Sequence, residues 1–116
     1  MAKRYLVVIP VHKEAYLKSL NSPEKAAAIM QEKLGRMHSS CPVDYFDKPM
    51  VMYSPCGQKK TTLGVNDRAT FFAVLPSAED DIYGTAIILG QGENGYMGLT
   101  EEVAIMVRDE VNGLRV

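Results

Sequence analysis

The chain has 116 residues, of which 47% are hydrophobic, 23% charged and 8% aromatic. These values fit one globular domain spanning residues 1–116 and exclude a disordered chain or a disulfide-stapled miniprotein. Thirteen Lys+Arg against fourteen Asp+Glu leave a net charge of −1. The chain therefore lacks the basic excess that holds a long nucleic acid and the acidic excess of a DNA mimic.

The apolar run Tyr5–Val11 ends in His12-Lys13-Glu14 with no small-residue cleavage site, which suits a buried strand better than a signal peptide. No segment approaches the roughly 18–20 apolar residues that span a bilayer. Cys41 and Cys56 say little about redox state, and a reduced cytoplasmic protein with no membrane partner is expected.

Residues 4–11 predict a first strand, apolar on both faces and so central, with Pro10 at its end or at an irregularity. A loop through Asn21 follows, with a short helical turn at Ala15–Ser19. Ser22-Pro23-Glu24 marks a helix start by its capping hydroxyl, its proline and its acid, and Gly35 stops that helix after Leu34. Residues 36–49, punctuated by Pro42 and Pro49, read as irregular.

Met50–Tyr53 and Thr61–Leu63 predict a hairpin closed by the turn Ser54-Pro-Cys-Gly57. Asn66 caps a helix over Asp67–Leu75, although Thr70, Phe71, Phe72 and Val74 also suit a strand. Thr85–Leu89 is a second central strand. Asn94-Gly95 turns the chain back into a short edge strand at Tyr96-Met97. Thr100 then caps a last helix with Val103, Val107 and Val111 on its buried stripe and Gly113 at its end. The order is β-α-ββ-α-β(β)-α. It describes a single α+β domain with a four- or five-stranded, mostly antiparallel sheet and two or three helices packed on it.

Four motifs bear on chemistry. Gly90-Gln-Gly-Glu-Asn-Gly95 matches a dinucleotide fingerprint by letter, but no helix starts within its glycines and no return strand follows, so a hairpin role is expected. His12, His38, Cys41 and Cys56 contain only one ligand pair at zinc spacing, so no metal is expected. Nothing around Cys41 or Cys56 signals an activated thiol. His38-Ser39-Ser40 is half of a two-histidine phosphodiesterase motif, and His12-Lys13-Glu14 does not supply the second half.

The densest polar chemistry lies at Gln58–Thr62 and Asn66–Thr70. Lys59, Lys60 and Arg68 are candidates to neutralise a phosphate, and Asn66 and Thr70 to hydrogen-bond a base or ribose. Tyr53, Phe72 and Tyr96 are candidates for a stacking face. A solvated hairpin tip and an Asn-capped turn explain the same residues without a ligand, since a capping Asn66 occupies its own oxygen. Seven methionines and no tryptophan suit an adaptable core or a dimer surface.

Tyr53-Ser-Pro-Cys-Gly57, Leu63-Gly-Val-Asn66-Asp-Arg68-Ala69-Thr70, the segment Asp80–Gly90 and Leu99-Thr100 together resemble a family of small uncharacterised proteins found mostly in bacteriophages and prophages. The likeness covers roughly residues 45–112. That family carries no assigned catalytic residues or cofactor to transfer. The resemblance implies a small phage protein made in the host cytoplasm. Several small phage proteins without catalytic motifs sequester nucleotide signals of host immunity, an analogy of origin and size.

Three functions are expected in order. The first is a non-catalytic sponge for a cyclic-nucleotide-type immune signal, using no cofactor. It is expected to be a homo-oligomer, because so small a chain encloses a deep pocket most easily between subunits. The second, in place of that anti-defence sponge, is a protein-interaction module that binds and inhibits a host protein through its hairpin edge or a methionine-lined surface. The third is a small hydrolase using His38 with Cys41 or Cys56.

Overall fold

The computed structural model describes residues 3–35, 38–45, 48–57, 60–73, 75, 80–92 and 95–114. In chain order its elements are β1 (Arg4–Ile9), β2 (Tyr16–Leu20), α1 (Pro23–Leu34), β3 (His38–Tyr45) and β4 (Lys48–Pro55). A 3-10 turn (Lys60–Leu63) follows, then α2 (Asp67–Phe72), β5 (Ala86–Gly92), β6 (Gly95–Met97) and α3 (Glu101–Gly113). The strands form one six-stranded sheet in the order β2-β1-β5-β4-β3, with β6 paired to the far end of β5. Every strand pair is antiparallel. This is an α+β domain.

β1 and β5 lie inside the sheet because both of their faces are apolar. Register places Val7 opposite Ile88 and Val8 opposite Ile87. Val7, Ile9, Ala86 and Ile88 turn to one side, where α2 and α3 contribute Ala69, Ala104, Val107 and Val111. Leu6, Val8, Ile87 and Leu89 turn to the other, against Ala26, Ile29, Met30 and Leu34 of α1. Each of the valine, leucine, isoleucine and methionine side chains, when fully buried, stabilises the fold by about 1.5–3 kcal/mol. Helices thus cover both faces of an antiparallel sheet.

Helix ends follow the local signals. Ser22 Oγ accepts from the Lys25 N–H at 3.3 Å, and Gly35 at φ 89° donates its N–H to the Gln31 carbonyl. Thr100 Oγ1 accepts from the Val103 N–H at 3.3 Å, and α3 ends at Gly113. Pro10 ends β1, as a residue without a ladder donor should. The Gly90–Gly95 motif falls in the β5–β6 hairpin, with residues 93–94 outside the described set. After that hairpin the chain crosses to β1, where Leu99 bridges Tyr5. Gly98 makes the crossing possible, since a Cβ there would lie 2.5 Å from Arg4 Cβ.

Three expectations are corrected. Residues 15–19 hold no helical turn; Tyr16–Leu20 is edge strand β2, recruited by pairing Tyr16 with Val8 and Leu20 with Arg4. Residues 38–45 are not irregular but form the opposite edge strand, paired residue for residue with β4. The hairpin of 50–53 with 61–63 does not exist: Thr61–Leu63 lies in the 3-10 turn. β4 has no free edge to offer it, being paired with β3 on one side and β5 on the other. The sheet accordingly gains two strands at its edges. Helix α2 forms as its cap implies but stops at Phe72, and β5 runs through Gly90 to Gly92.

Candidate anion-binding groove and the polar clasp behind it

The Asn66–Thr70 segment proves to be directed inward. Asn66 is fully buried and every polar group it carries is used. Its Oδ1 accepts from the Ala69 N–H at 3.2 Å, which caps α2. Its Nδ2 donates to the carbonyls of Ile9 at 2.8 Å and Gly84 at 2.9 Å. The backbone N–H donates to the Ile82 carbonyl, and the backbone carbonyl accepts from the Thr70 N–H. Thr70 Oγ1 accepts from the Ile82 N–H at 2.8 Å, and an Arg68 guanidinium N–H donates to the Lys13 carbonyl at 3.1 Å. Ala69, wholly buried between them, admits α2 to the core. A six-residue helix has little stability of its own, and these side-chain bonds are what dock it. Gly84 belongs to the same unit: its φ of 76° favours glycine, and a Cβ would meet Leu63 Cδ1 at 3.0 Å.

The other expected ligand residues disperse. Lys59 lies outside the described residues, and Lys60 opens the 3-10 turn. Phe72 packs against the core on the α2/α3 side of the sheet. Tyr53 and Tyr96 pack against the opposite core, their rings edge to face with centroids 5.3 Å apart. The three aromatic rings therefore share no stacking face. Burial and the neighbouring Tyr96 hold the Tyr53 phenol above its ordinary pKa.

His38 joins the two tyrosines, with Nε2 3.1 Å from the Tyr96 hydroxyl and its ring 5.6 Å from that of Tyr53. Its Nδ1 is buried without a hydrogen-bond partner. Neither imidazole nitrogen meets a thiol. Cys41 turns to the other face of β3, where it packs with Met52 and Val43 and burial pushes its thiol pKa up. Cys41 stands opposite Met52, four residues short of Cys56, so the two cysteines lie about 13 Å apart along the ladder. That is too far for a disulfide without backbone movement. Among the described residues, no three His, Cys, Asp or Glu side chains gather to hold a metal ion. Among the same residues, no helix is long and apolar enough to cross a membrane.

A groove of about 440 Å³ opens on the α1 side, where the ends of β1, β2, α1 and the start of β5 meet. Val8, Pro10, Val11 and Thr85 line it together with Tyr16, His12, Lys13 and Lys33. Register sets Tyr16 beside Val8 and so directs its ring to the same face. Tyr16 as a whole remains 39% exposed, which leaves it open to a planar group. Lys13 is exposed on the β1–β2 loop, while Lys33 is half-buried on the last turn of α1. There it also offsets the partial negative charge of the helix carbonyls. No carboxylate is among the described lining residues; Glu14 follows Lys13 in sequence but does not line the groove. Two ammonium groups, an imidazole and a phenol beside an apolar floor suit a small ligand with an anionic and a planar part.

None of these groove residues stands out in sequence as a set. Lys13 and Lys33 are twenty positions apart and meet only because β2 folds back and α1 lies across it. No protein-family model, curated protein or solved structure matches the chain.

Proposed function

We propose that this protein is a non-catalytic binder of a small phosphate-bearing ligand, with the β1–β2 groove as its site. The observation that carries the reading is the groove lining: Lys13, Lys33, His12 and Tyr16, with no acid among the described lining residues. Lysine supplies charge and three donors to phosphate oxygens, and a half-exposed tyrosine supplies a surface for a base. The volume lies near the lower end of the roughly 300–1,000 Å³ usual for small-molecule sites. A cyclic nucleotide is the preferred ligand class, and the resemblance to phage proteins suggests sequestration of an immune signal, a sponge role in immune evasion. In an oligomer a second subunit would close the open side of the groove.

Calorimetry and thermal shift against cyclic dinucleotides, cyclic trinucleotides and cyclic ADP-ribose isomers test this. A ligand at one hundred times its Kd stabilises the fold by about 2.7 kcal/mol. The expected result is a stabilising ligand, recovered intact, whose effect disappears in a Lys13→Ala/Lys33→Ala double variant. No stabilisation by any of these ligands in large excess overturns the reading.

A protein-interaction module is the second reading, favoured by the eight-residue edge strand β3. Pro42 in the middle of that strand removes one donor, which makes the edge a poor template for strand addition. Recovery of one stoichiometric host protein by affinity capture, with no small ligand bound, would place this reading first.

A further inference from the structure

The β1–β2 loop that walls the groove on the α1 side is held from the other side of the sheet. Three side chains of the α2/α3 layer grip its backbone in succession. Asn66 binds the Ile9 carbonyl at 2.8 Å, where β1 ends. Arg68 binds the Lys13 carbonyl at 3.1 Å, in the middle of the loop. Asn112 on α3 accepts from the Ala15 N–H at 2.7 Å and donates to the Ala15 carbonyl at 3.1 Å, a two-bond grip where β2 begins. Between the first and last of these lie Pro10, Val11, His12 and Lys13, all lining the groove. Neither Arg68 nor Asn112 lines it.

We infer that Arg68 and Asn112 are positioning residues for the groove, setting the loop geometry that presents His12 and Lys13 to an anionic ligand. This rests on the groove being the binding site. A loop of this length without its own secondary structure samples many conformations, and ordering it on ligand binding costs conformational entropy. Bonds to three successive points of its backbone remove that cost before the ligand arrives. The Arg68 bond is the informative one, because it attaches to the backbone of Lys13, itself a lining residue of the groove. By linkage, a ligand that uses Lys13 also tightens the contact of α2 and α3 with the loop.

Amide exchange and ligand titration by NMR on the full chain test this, with inorganic pyrophosphate as the probe. In Arg68→Ala, exchange at Ala15 is expected to quicken about tenfold while Ile87 in β5 is unchanged, as local opening requires. Pyrophosphate affinity is expected to fall about tenfold, and Arg68→Lys, which keeps an N–H donor, to recover much of the loss. Should Arg68→Ala fail to fold, Asn112→Ala breaks the adjacent grip and is expected to weaken pyrophosphate binding by a similar factor. Unchanged Ala15 exchange in Arg68→Ala overturns the inference whatever the titration shows. Faster exchange with affinity within twofold of wild type overturns it too and leaves the groove reading intact. Failure of the wild-type chain to bind pyrophosphate overturns the positioning role together with the groove as an anion site.

Discussion

The two faces of the sheet are built by different means. On the α1 side a twelve-residue helix with a serine cap and a glycine stop lays Ala26, Ile29, Met30 and Leu34 onto Leu6, Val8, Ile87 and Leu89. Non-directional apolar contact holds that interface. On the other side α3 does the same, but α2 is too short to be held that way and is bolted down through Asn66, Arg68 and Thr70. An apolar interface tolerates changes of shape, whereas a buried hydrogen-bonded one tolerates almost no change of chemistry. The tolerant side carries the groove, and the exacting side fixes the groove's loop.

The sharpest test of that contrast is a near-isosteric swap on each face. Asn66→Asp keeps the capping oxygen but turns a second oxygen toward the Ile9 and Gly84 carbonyls. It is expected to cost about 4 kcal/mol in urea denaturation, as an unpaired buried charge does. Met30→Leu, equally buried on the α1 side, is expected to cost less than about 1.5 kcal/mol. Equal losses would end the distinction between the faces. Thr70→Val, which strips the Ile82 N–H of its acceptor, is expected to cost about 1–2 kcal/mol in the same assay.

Smaller effects refine the comparison. The raised Cys41 pKa leaves less thiolate at any given pH, so iodoacetamide should modify Cys41 at pH 8 several-fold more slowly than it modifies a free small-molecule thiol. Labelling as fast as the free thiol would mean that the β3–β4 end of the core opens readily. The smallest effect concerns Tyr5, whose hydroxyl donates to Glu101 Oε2 at 2.9 Å. That hydrogen bond, with desolvation and the carboxylate charge, raises the phenol above 10.0. A raised folded-state pKa contributes stability below the unfolded value and loses it as pH climbs through the folded one. Tyr5→Phe should therefore lower stability slightly near neutrality and flatten the fall in stability above pH 10, as urea denaturation across that range would show.

Legibility in the sequence followed the locality of each interaction. Helices α1 and α3 were readable nearly to the residue, because Ser22, Gly35, Thr100 and Gly113 act within one turn of themselves. Strands β1 and β5 were readable because burial on two faces leaves continuous apolar runs. The edge strands were not: β2 breaks its pattern with Lys18 and Ser19, and β3 is interrupted by Pro42. Their pairing depends on neighbours already in place. The misassigned hairpin has the same origin, since turn residues at 54–57 say that the chain bends but not which strands hold the edges of β4.

The polar cluster Asn66–Thr70 was conspicuous in sequence for the right residue types and the wrong direction. Asparagine, arginine and threonine offer the same donors and acceptors to a ligand as to a backbone, and only the fold reveals that Ile9, Lys13, Ile82 and Gly84 stand within reach. The groove was invisible for the complementary reason: Lys13, Tyr16, Lys33 and Thr85 are unremarkable singly and come from four separate segments. Composition, caps and two-faced runs, being properties of short stretches, were enough to settle one α+β domain, its first and last helices and its central strands, whereas the helix at Asp67–Phe72 stayed open against a strand until the structure decided it. Strand partners, the inward turn of Asn66 and the meeting of two lysines are long-range juxtapositions, set only when the whole sheet closes between its two helical layers.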